Sequence, residues 1–420
     1  MSTQVQINVA SEIGELTDVI LHSPGPEVEN MTPETAQRAL YSDILNLAVA
    51  SREYSQLYGV LKKVANTYQV KNLLTDILQN EKDKDTFINK ICSNESDREF
   101  RELLLSQNAG QLSRMVIEGV PMKKDTLTKF LSKERYALPP LHNFFFTRDS
   151  AIAINNRMLI SRMANKVRER ETIIMESIFD SHPLFSTRTI NPLNHTYCDL
   201  RAFIEGGDLL VARHDVLLIG MGSRTNSQGI DFLIDRFKER KETRHIIVQE
   251  LPSKPESFIH LDMVFTFLSE NECMVYEPLI LDPSRYTTVH IFIDKGEVKK
   301  IMYVDNILEA LKSLGFDLKP LVCGGRRDIV FQDREQWHSG ANFFAFAPGK
   351  VLGYERNLYT IEELNNNGFE VIRAVDVIDN KTDLKKVAKC VVTIEGSELP
   401  RGGGGARCMT MPLRRKEVLL

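Results

Sequence analysis

Cys408 follows a run of four glycines, Gly402 to Gly405, in the stretch PRGGGGARCMTMPL. Glycines let a loop mould itself around a ligand and present a side chain, and a thiolate is a strong nucleophile toward an electron-poor carbon. Alone, the same stretch also reads as a flexible tail carrying a small core hydrophobe. No GK[ST] follows the glycines, so a Walker A phosphate cradle is disfavoured. A second signal is His260-Leu261-Asp262 in FIHLDMVFTF, whose alternation predicts a strand with His260 and Asp262 on one face. No HExxH helix or third ligand at metal spacing accompanies it, so zinc is a weak reading. The pair reads about equally as an acid/base unit and as a satisfied buried pair. Glu205-Gly206-Gly207-Asp208 and Thr147-Arg148-Asp149 complete the set, and each alone is an ordinary acidic turn.

Taken together these residues suit one substrate group. Several carboxylates in a pocket favour a cation, and planar guanidinium pairs with carboxylates through parallel N–H···O bonds. Carboxylates that hold its nitrogens polarise the central carbon toward a thiolate. A histidine then protonates departing ammonia and later takes a proton from water. This chemistry requires no metal or organic cofactor. A papain-like protease fits poorly, because three carboxylates around a cysteine would repel a peptide oxyanion.

Such scattered residues must be brought together by the elements around them. From about residue 32 to 134 glycine nearly disappears and apolar residues recur at helical spacing, as in Tyr54-Leu57-Leu61-Val64. A strand-like run, residues 17–22, precedes this block and Pro139-Pro140 ends it, so the helices read as an insertion. From residue 141 onward a loose unit recurs: polar residue, strand, turn, strand, helix, strand. Copies open at Asp149, Glu205, His260 and near Asn342, and a fifth is split between the N-terminal strand and the C-terminal tail. Spacings of roughly 55 to 80 residues between copies of one supersecondary unit point to propeller-like closure around an axis. The opening polar residues would then face one central cavity.

Bulk properties narrow the function further. The chain has 57 acidic and 53 basic residues, so no domain-wide positive field exists to hold nucleic acid or an anionic membrane. Its six cysteines, Cys92, Cys198, Cys273, Cys323, Cys390 and Cys408, are scattered and read as reduced thiols. No stretch approaches the length of a membrane span and the N-terminus carries no apolar leader, so cytoplasmic residence is expected.

At this point the motifs resemble those of the bacterial arginine deiminases. NFFFTRD (143–149), VRERET (167–172), FIEGGD (203–208), GMGSRTN (220–226), FIHLDMVFT (258–266), ANFFAFAPGKVLGYERN (341–357) and ARCMTMPL (406–413) occur in that family's order, over essentially the whole chain. The resemblance implies a pentein fold, a five-bladed pseudo-symmetric α/β propeller over residues 1–31 and 135–420 with an α-helical domain inserted at 32–134. It implies hydrolysis of L-arginine to L-citrulline and ammonia through a covalent thiouronium on Cys408. His260 would serve as general acid/base, and Glu205, Asp149 and Asp262 would bind the guanidinium. Asn143 and Phe146 match pocket-lining positions, and Arg168 and Arg224 match arginines that hold the α-carboxylate. A homo-oligomer, dimer or larger, is the expected assembly. The sequence departs from the family at Gly403, where many members carry a further arginine contacting that carboxylate; Arg401 and Arg407 are candidates to replace it. Agmatine or Nα-modified arginine as substrate, an amidinotransferase, and a non-catalytic pentein binding protein are the rival readings, the last opposed by the presence of the full catalytic set.

Overall fold

Short apolar runs bounded by turn residues pair into hairpins along much of this chain. In SAIAINNRMLI, the strands Ala151–Ile154 and Arg157–Ile160 pair antiparallel. Asn155 turns between them at φ 52°, a left-handed conformation that asparagine tolerates. The helix Glu169–Ser181 then crosses over, and the strand Arg188–Ile190 adds parallel to Arg157–Ile160. This computed structural model describes residues 4–33, 36, 41–95, 99–195 and 201–418; Cys198 lies outside them.

The same plan occurs five times. Leu209–Arg213 and Val216–Met221 form the second hairpin, followed by the helix Ser227–Glu239 and parallel strand Arg244–Glu250. Phe265–Phe267 and Glu272–Val275 form the third, with the helix Ile307–Ser313 and strand Lys319–Val322. Phe344–Ala347 and Lys350–Tyr354 form the fourth, with the helix Leu358–Asn366 and strand Cys390–Ile394. The fifth joins the two ends of the chain. Met411–Arg415 pairs antiparallel with Leu16–Leu21, and Asn66–Gln69 adds parallel after the helix Leu47–Val64. Three of these crossover helices begin at an asparagine whose side chain accepts from the first turn: Asn46, Asn226 and Asn306.

The hydrophobic cores lie between units. Ile152 and Leu159 of the first pack with Leu217 and Ile219 of the second, and Leu210 and Leu218 of the second with Phe265, Met274 and Val351 of the third and fourth. Leu352 and Val392 of the fourth pack with Val19 and Leu57 of the fifth, whose Ile20 and Met411 pack in turn with Ala151 and Met158 of the first. Each unit therefore buries its apolar surface against its neighbours.

Two expectations change here. The stretch 32–134 is not helical throughout, because Asn66–Gln69 is a strand of the fifth sheet and the helix Leu47–Val64 packs in that unit's core. The helices Val70–Ile77, Glu81–Glu95, Glu99–Leu105, Ala109–Glu118 and Leu127–Leu131 follow. Helical spacing read from about residue 32 onward could not reveal that one of its helices is a crossover connection. The stretch around His260 also differs: Leu261–Met263 is a 3₁₀ turn and only Phe265–Phe267 is strand. The Asp208 carboxylate takes the Leu261 N–H at 2.9 Å, bending the chain where alternation alone predicts a straight strand. Among the described residues no helix is long and apolar enough to cross a membrane.

Candidate active site

Each of the five units is preceded by a short loop carrying a polar side chain: Asp149, Glu205, the His260–Asp262 turn, Asn342 and Cys408. All are buried, and their side chains meet. His260 Nε2 lies 3.0 Å from Glu205 Oε2, and its Nδ1 faces Asp149 Oδ1 at 3.6 Å. Cys408 Sγ lies 3.6 Å from Asp262 Oδ2 and 3.8 Å from Oδ1, and Asn342 Nδ2 donates to it at 3.2 Å. Glycines make room for this convergence. A methyl group at Gly207 would sit 2.4 Å from His260 Nδ1, and one at Gly404 would sit 3.0 Å from Cys408 Cβ.

Buried arginines orient two of the carboxylates. Arg168 Nη1 donates to Asp149 Oδ2 at 2.6 Å, while Asp149 Oδ1 has no hydrogen bond among the described residues. Arg407 Nη1 donates to Asp262 Oδ2 at 2.8 Å and its other nitrogens bind Glu12 and the Leu209 carbonyl. Each of these two carboxylates thus has a fixed cation behind it in a buried site. Burial opposes ionisation of Glu205, but Arg224 and the bond from His260 hold its carboxyl at about 2. Burial likewise favours a neutral imidazole, yet Asp149 and the bond to Glu205 push His260 up to about 9. Burial pushes Asp208 up to about 7. Burial, Asp262 and Asp149 together hold the Cys408 thiol well above its ordinary value, against a backbone hydrogen bond from Gly405 and the charge of Arg407.

A cavity of about 520 Å³ adjoins this cluster, lined among others by Ala164, Arg224, Ile259, Met263, Trp337 and Gly403. It abuts the cluster through Ala164, whose N–H donates to Glu205 Oε1 at 3.0 Å, and through Arg224, whose Nη1 lies 3.5 Å from Glu205 Oε2. Arg224 therefore stands between the cavity and the carboxylates. Arg168 is engaged on every side, by Asp149, by both Glu171 oxygens and by the Asn143 and Phe146 carbonyls. It borders a second cavity of about 420 Å³ together with Asn143. Phe146 packs against the glycine loop, where a methyl at Gly404 would meet its ring at 2.6 Å. Arg401 is partly exposed and bonds Asp43 at 2.7 Å and the Ser397 carbonyl at 3.2 Å, outside the cluster. Arg407 points into the protein toward Glu12, leaving no side chain in the register of Gly403.

Sequence reasoning did not single out Glu12, offered Arg407 only as a partner for the substrate's α-carboxylate, and gave Asn342 no role beyond opening the fourth unit. Asn342 did carry a signal, since it opens the fourth unit as the other site residues open theirs. Glu12 lies some 400 positions from its partner Arg407, a pairing that no local pattern encodes. Among the described residues no group of three or more His, Cys, Asp or Glu side chains could hold a metal ion.

A model of the arginine deiminase family matches residues 37–415. The arginine deiminase of Bacillus thuringiensis subsp. konkukian (strain 97-27) is 32% identical over 433 residues, covering 98% of this chain and 99% of that protein. That of Borrelia duttonii (strain Ly) is 31% identical, covering 98% of each. Among solved structures, an amidinotransferase of the saxitoxin biosynthetic pathway of Microseira wollei matches with a TM-score of 0.52 at 15% identity, over 99% of this chain and 98% of that one. At that identity the likeness is one of fold.

Proposed function

We propose, for a chain that belongs to the arginine deiminase family and hydrolyses L-arginine to L-citrulline and ammonia, that Cys408 is the nucleophile and His260 the general acid/base. The observation that carries this reading is the arrangement of the two carboxylates flanking the thiol. Asp149 and Asp262 each give one oxygen to a buried arginine, while Asp149 Oδ1 accepts no hydrogen bond and faces His260 Nδ1 at 3.6 Å, and Asp262 Oδ1 lies 3.8 Å from Sγ. A guanidinium between these oxygens presents its carbon to the thiol and neutralises the charges that keep the thiol protonated. Its arrival therefore lowers the thiol's pKa, and the proton passes to solvent.

The thiolate then attacks the guanidinium carbon. His260, held as imidazolium by Asp149 and Glu205, protonates the departing amine, which leaves as ammonia. The resulting thiouronium is attacked by a water that gives one proton to the now neutral His260, and collapse of the adduct expels the sulfur, which takes the hydroxyl proton and is restored as the thiol, with the ureido product released. Arg224 meets the α-carboxylate at the cavity. Arg168, its donors already engaged, orients Asp149, and Asn143 and Phe146 shape the wall behind it.

The five units, each sharing a core with the next and the last with the first, support closure into a five-bladed propeller. The helices between residues 70 and 134 form the domain inserted into it. Free thiols at Cys92, Cys273, Cys323, Cys390 and Cys408 suit the reducing cytoplasm. The strand Glu297–Val304, which carries exposed Ile301 and Tyr303, is a candidate face for a homo-oligomer.

Citrulline formation by wild-type and Cys408→Ser protein, with arginine, agmatine and Nα-acetylarginine in parallel, tests this assignment. The variant is expected to fold and to be inactive. Turnover by Cys408→Ser would remove the nucleophile, and equal rates on all three substrates would remove Arg224 as the carboxylate partner.

A further inference from the structure

The Cys408 thiol is 2% exposed, and the nearest side-chain groups set around it are mostly anionic or apolar. The charged and titratable groups acting on it are Asp262, Asp149 and Arg407, with Tyr354 close enough to feel its charge. Asp262 presents both oxygens within 3.8 Å of Sγ, and Tyr354 spends its hydroxyl proton on the Gly404 carbonyl at 3.0 Å. Arg407 turns its guanidinium toward Glu12 and Asp262. The thiolate needed for attack therefore forms beside a carboxylate, where an N–H donor aimed at the sulfur favours it.

Asn342 supplies that donor, and the surroundings dictate which way its amide points. Its Oδ1 accepts the N–H groups of Arg407 at 2.9 Å and Cys408 at 3.3 Å. Two donors on one side can be met only by the amide oxygen, so the NH₂ faces the other way. There it donates to the Asp262 carbonyl at 3.0 Å and to Cys408 Sγ at 3.2 Å, with Met263 Sδ at 3.6 Å. The glycine run is shaped for this approach, because a methyl at Gly405 would sit 2.7 Å from Asn342 Cβ and Oδ1. One 1%-exposed amide thus grips the backbone N–H groups of the nucleophile and of the residue before it, and aims a proton at the nucleophile's sulfur.

We propose that Asn342 is a further catalytic residue, whose carboxamide fixes the loop bearing Cys408 and stabilises the Cys408 thiolate by an N–H···S hydrogen bond. The inference rests on Cys408 being the nucleophile. Its two arms separate by substitution. Asn342→Asp keeps an oxygen toward the two backbone N–H groups but removes the donor to sulfur, whereas Asn342→Ala removes both.

The test is the rate of Cys408 alkylation by iodoacetamide from neutral to alkaline pH, located by peptide mass spectrometry, alongside kcat and KM for arginine. Near-ultraviolet circular dichroism monitors the fold. Asn342→Asp is expected to fold, to alkylate with a midpoint about one unit or more higher, and to lose kcat by about 100-fold, as for loss of one oxyanion-hole donor, with KM within about threefold. Asn342→Ala is expected to show the same rise in midpoint with a lower melting temperature. A folded variant with the wild-type midpoint overturns the proposal, as does a kcat loss with no change in the alkylation profile. Should neither variant fold, Asn342→Ser carries the same measurement, since a hydroxyl cannot reach the sulfur and both backbone N–H groups at once. Failure of the nucleophile itself is distinct: Cys408 would then be alkylated without loss of wild-type activity.

Discussion

Gly207 packs directly against the His260 imidazole. A methyl group there would lie 2.4 Å from His260 Nδ1, 2.6 Å from its Cγ and 2.9 Å from Asp149 Oδ1. An ordinary carbon–nitrogen contact is about 3.5 Å, so Gly207→Ala must drive the imidazole back by roughly 1 Å. Gly207 has no left-handed φ, so alanine meets no backbone penalty and the effect is one of space alone. His260 is fully buried and its Nε2 is fixed at 3.0 Å to Glu205, so a shift of that size breaks the bond that orients the ring. Overpacking of this kind costs about 1–3 kcal/mol, and a displacement of about 1 Å in a catalytic group costs on the order of 100-fold in rate. Steady-state citrulline production gives kcat, and thermal unfolding in the same buffer separates misplacement from unfolding. A control is Gly110→Ala in the helix Ala109–Glu118, where the nearest atom lies 3.7 Å away. It is expected to leave activity unchanged and to stabilise by about 0.5–1 kcal/mol. Wild-type kcat in a natively folded Gly207→Ala would refute the placement of His260.

Arg407→Met leaves Glu12 and Asp262 as unpaired buried carboxylates, so denaturant unfolding should show a loss of about 3–5 kcal/mol with a collapse of activity. A stable, active variant would show that the network is dispensable. For pH, His260 is raised from 6.5 to about 9. Its folded-state contribution, of order 3 kcal/mol, is full below the unfolded value and is lost as pH rises through about 9; kcat/KM should fall across the same interval as the acid deprotonates. In Asp149→Asn the largest cause of that elevation is gone and the alkaline limb should move down, whereas an unmoved limb would assign it to another group. Arg224→Ala should raise KM for arginine by about tenfold to a hundredfold with little change for agmatine, while Arg401→Ala, which breaks a half-exposed pair with Asp43, should stay within about threefold. The reverse order would exchange their roles.

Much of the site was legible because its residues open repeats. The positions of Asp149, Glu205, His260 and Asn342 before alternating apolar strands predicted that they would converge, and the split fifth unit was readable because strand and turn chemistry are local. The glycines beside Cys408 likewise announced a crowded loop before any neighbour was known. The sequence could not tell that Asn66–Gln69 is a sheet strand, because a four-residue segment between two helices becomes a strand only through its partner Leu16–Leu21. It could not tell that Arg168 is spent on Asp149 and Glu171 while Arg224 faces the cavity, since a guanidinium's role depends on which carboxylates lie within 3 Å of it. Residue types and their order determined the chemistry. Which oxygen of each carboxylate is left for the substrate, and which amide proton points at the sulfur, was decided by tertiary packing, because hydrogen-bond direction is set by groups far apart in the chain.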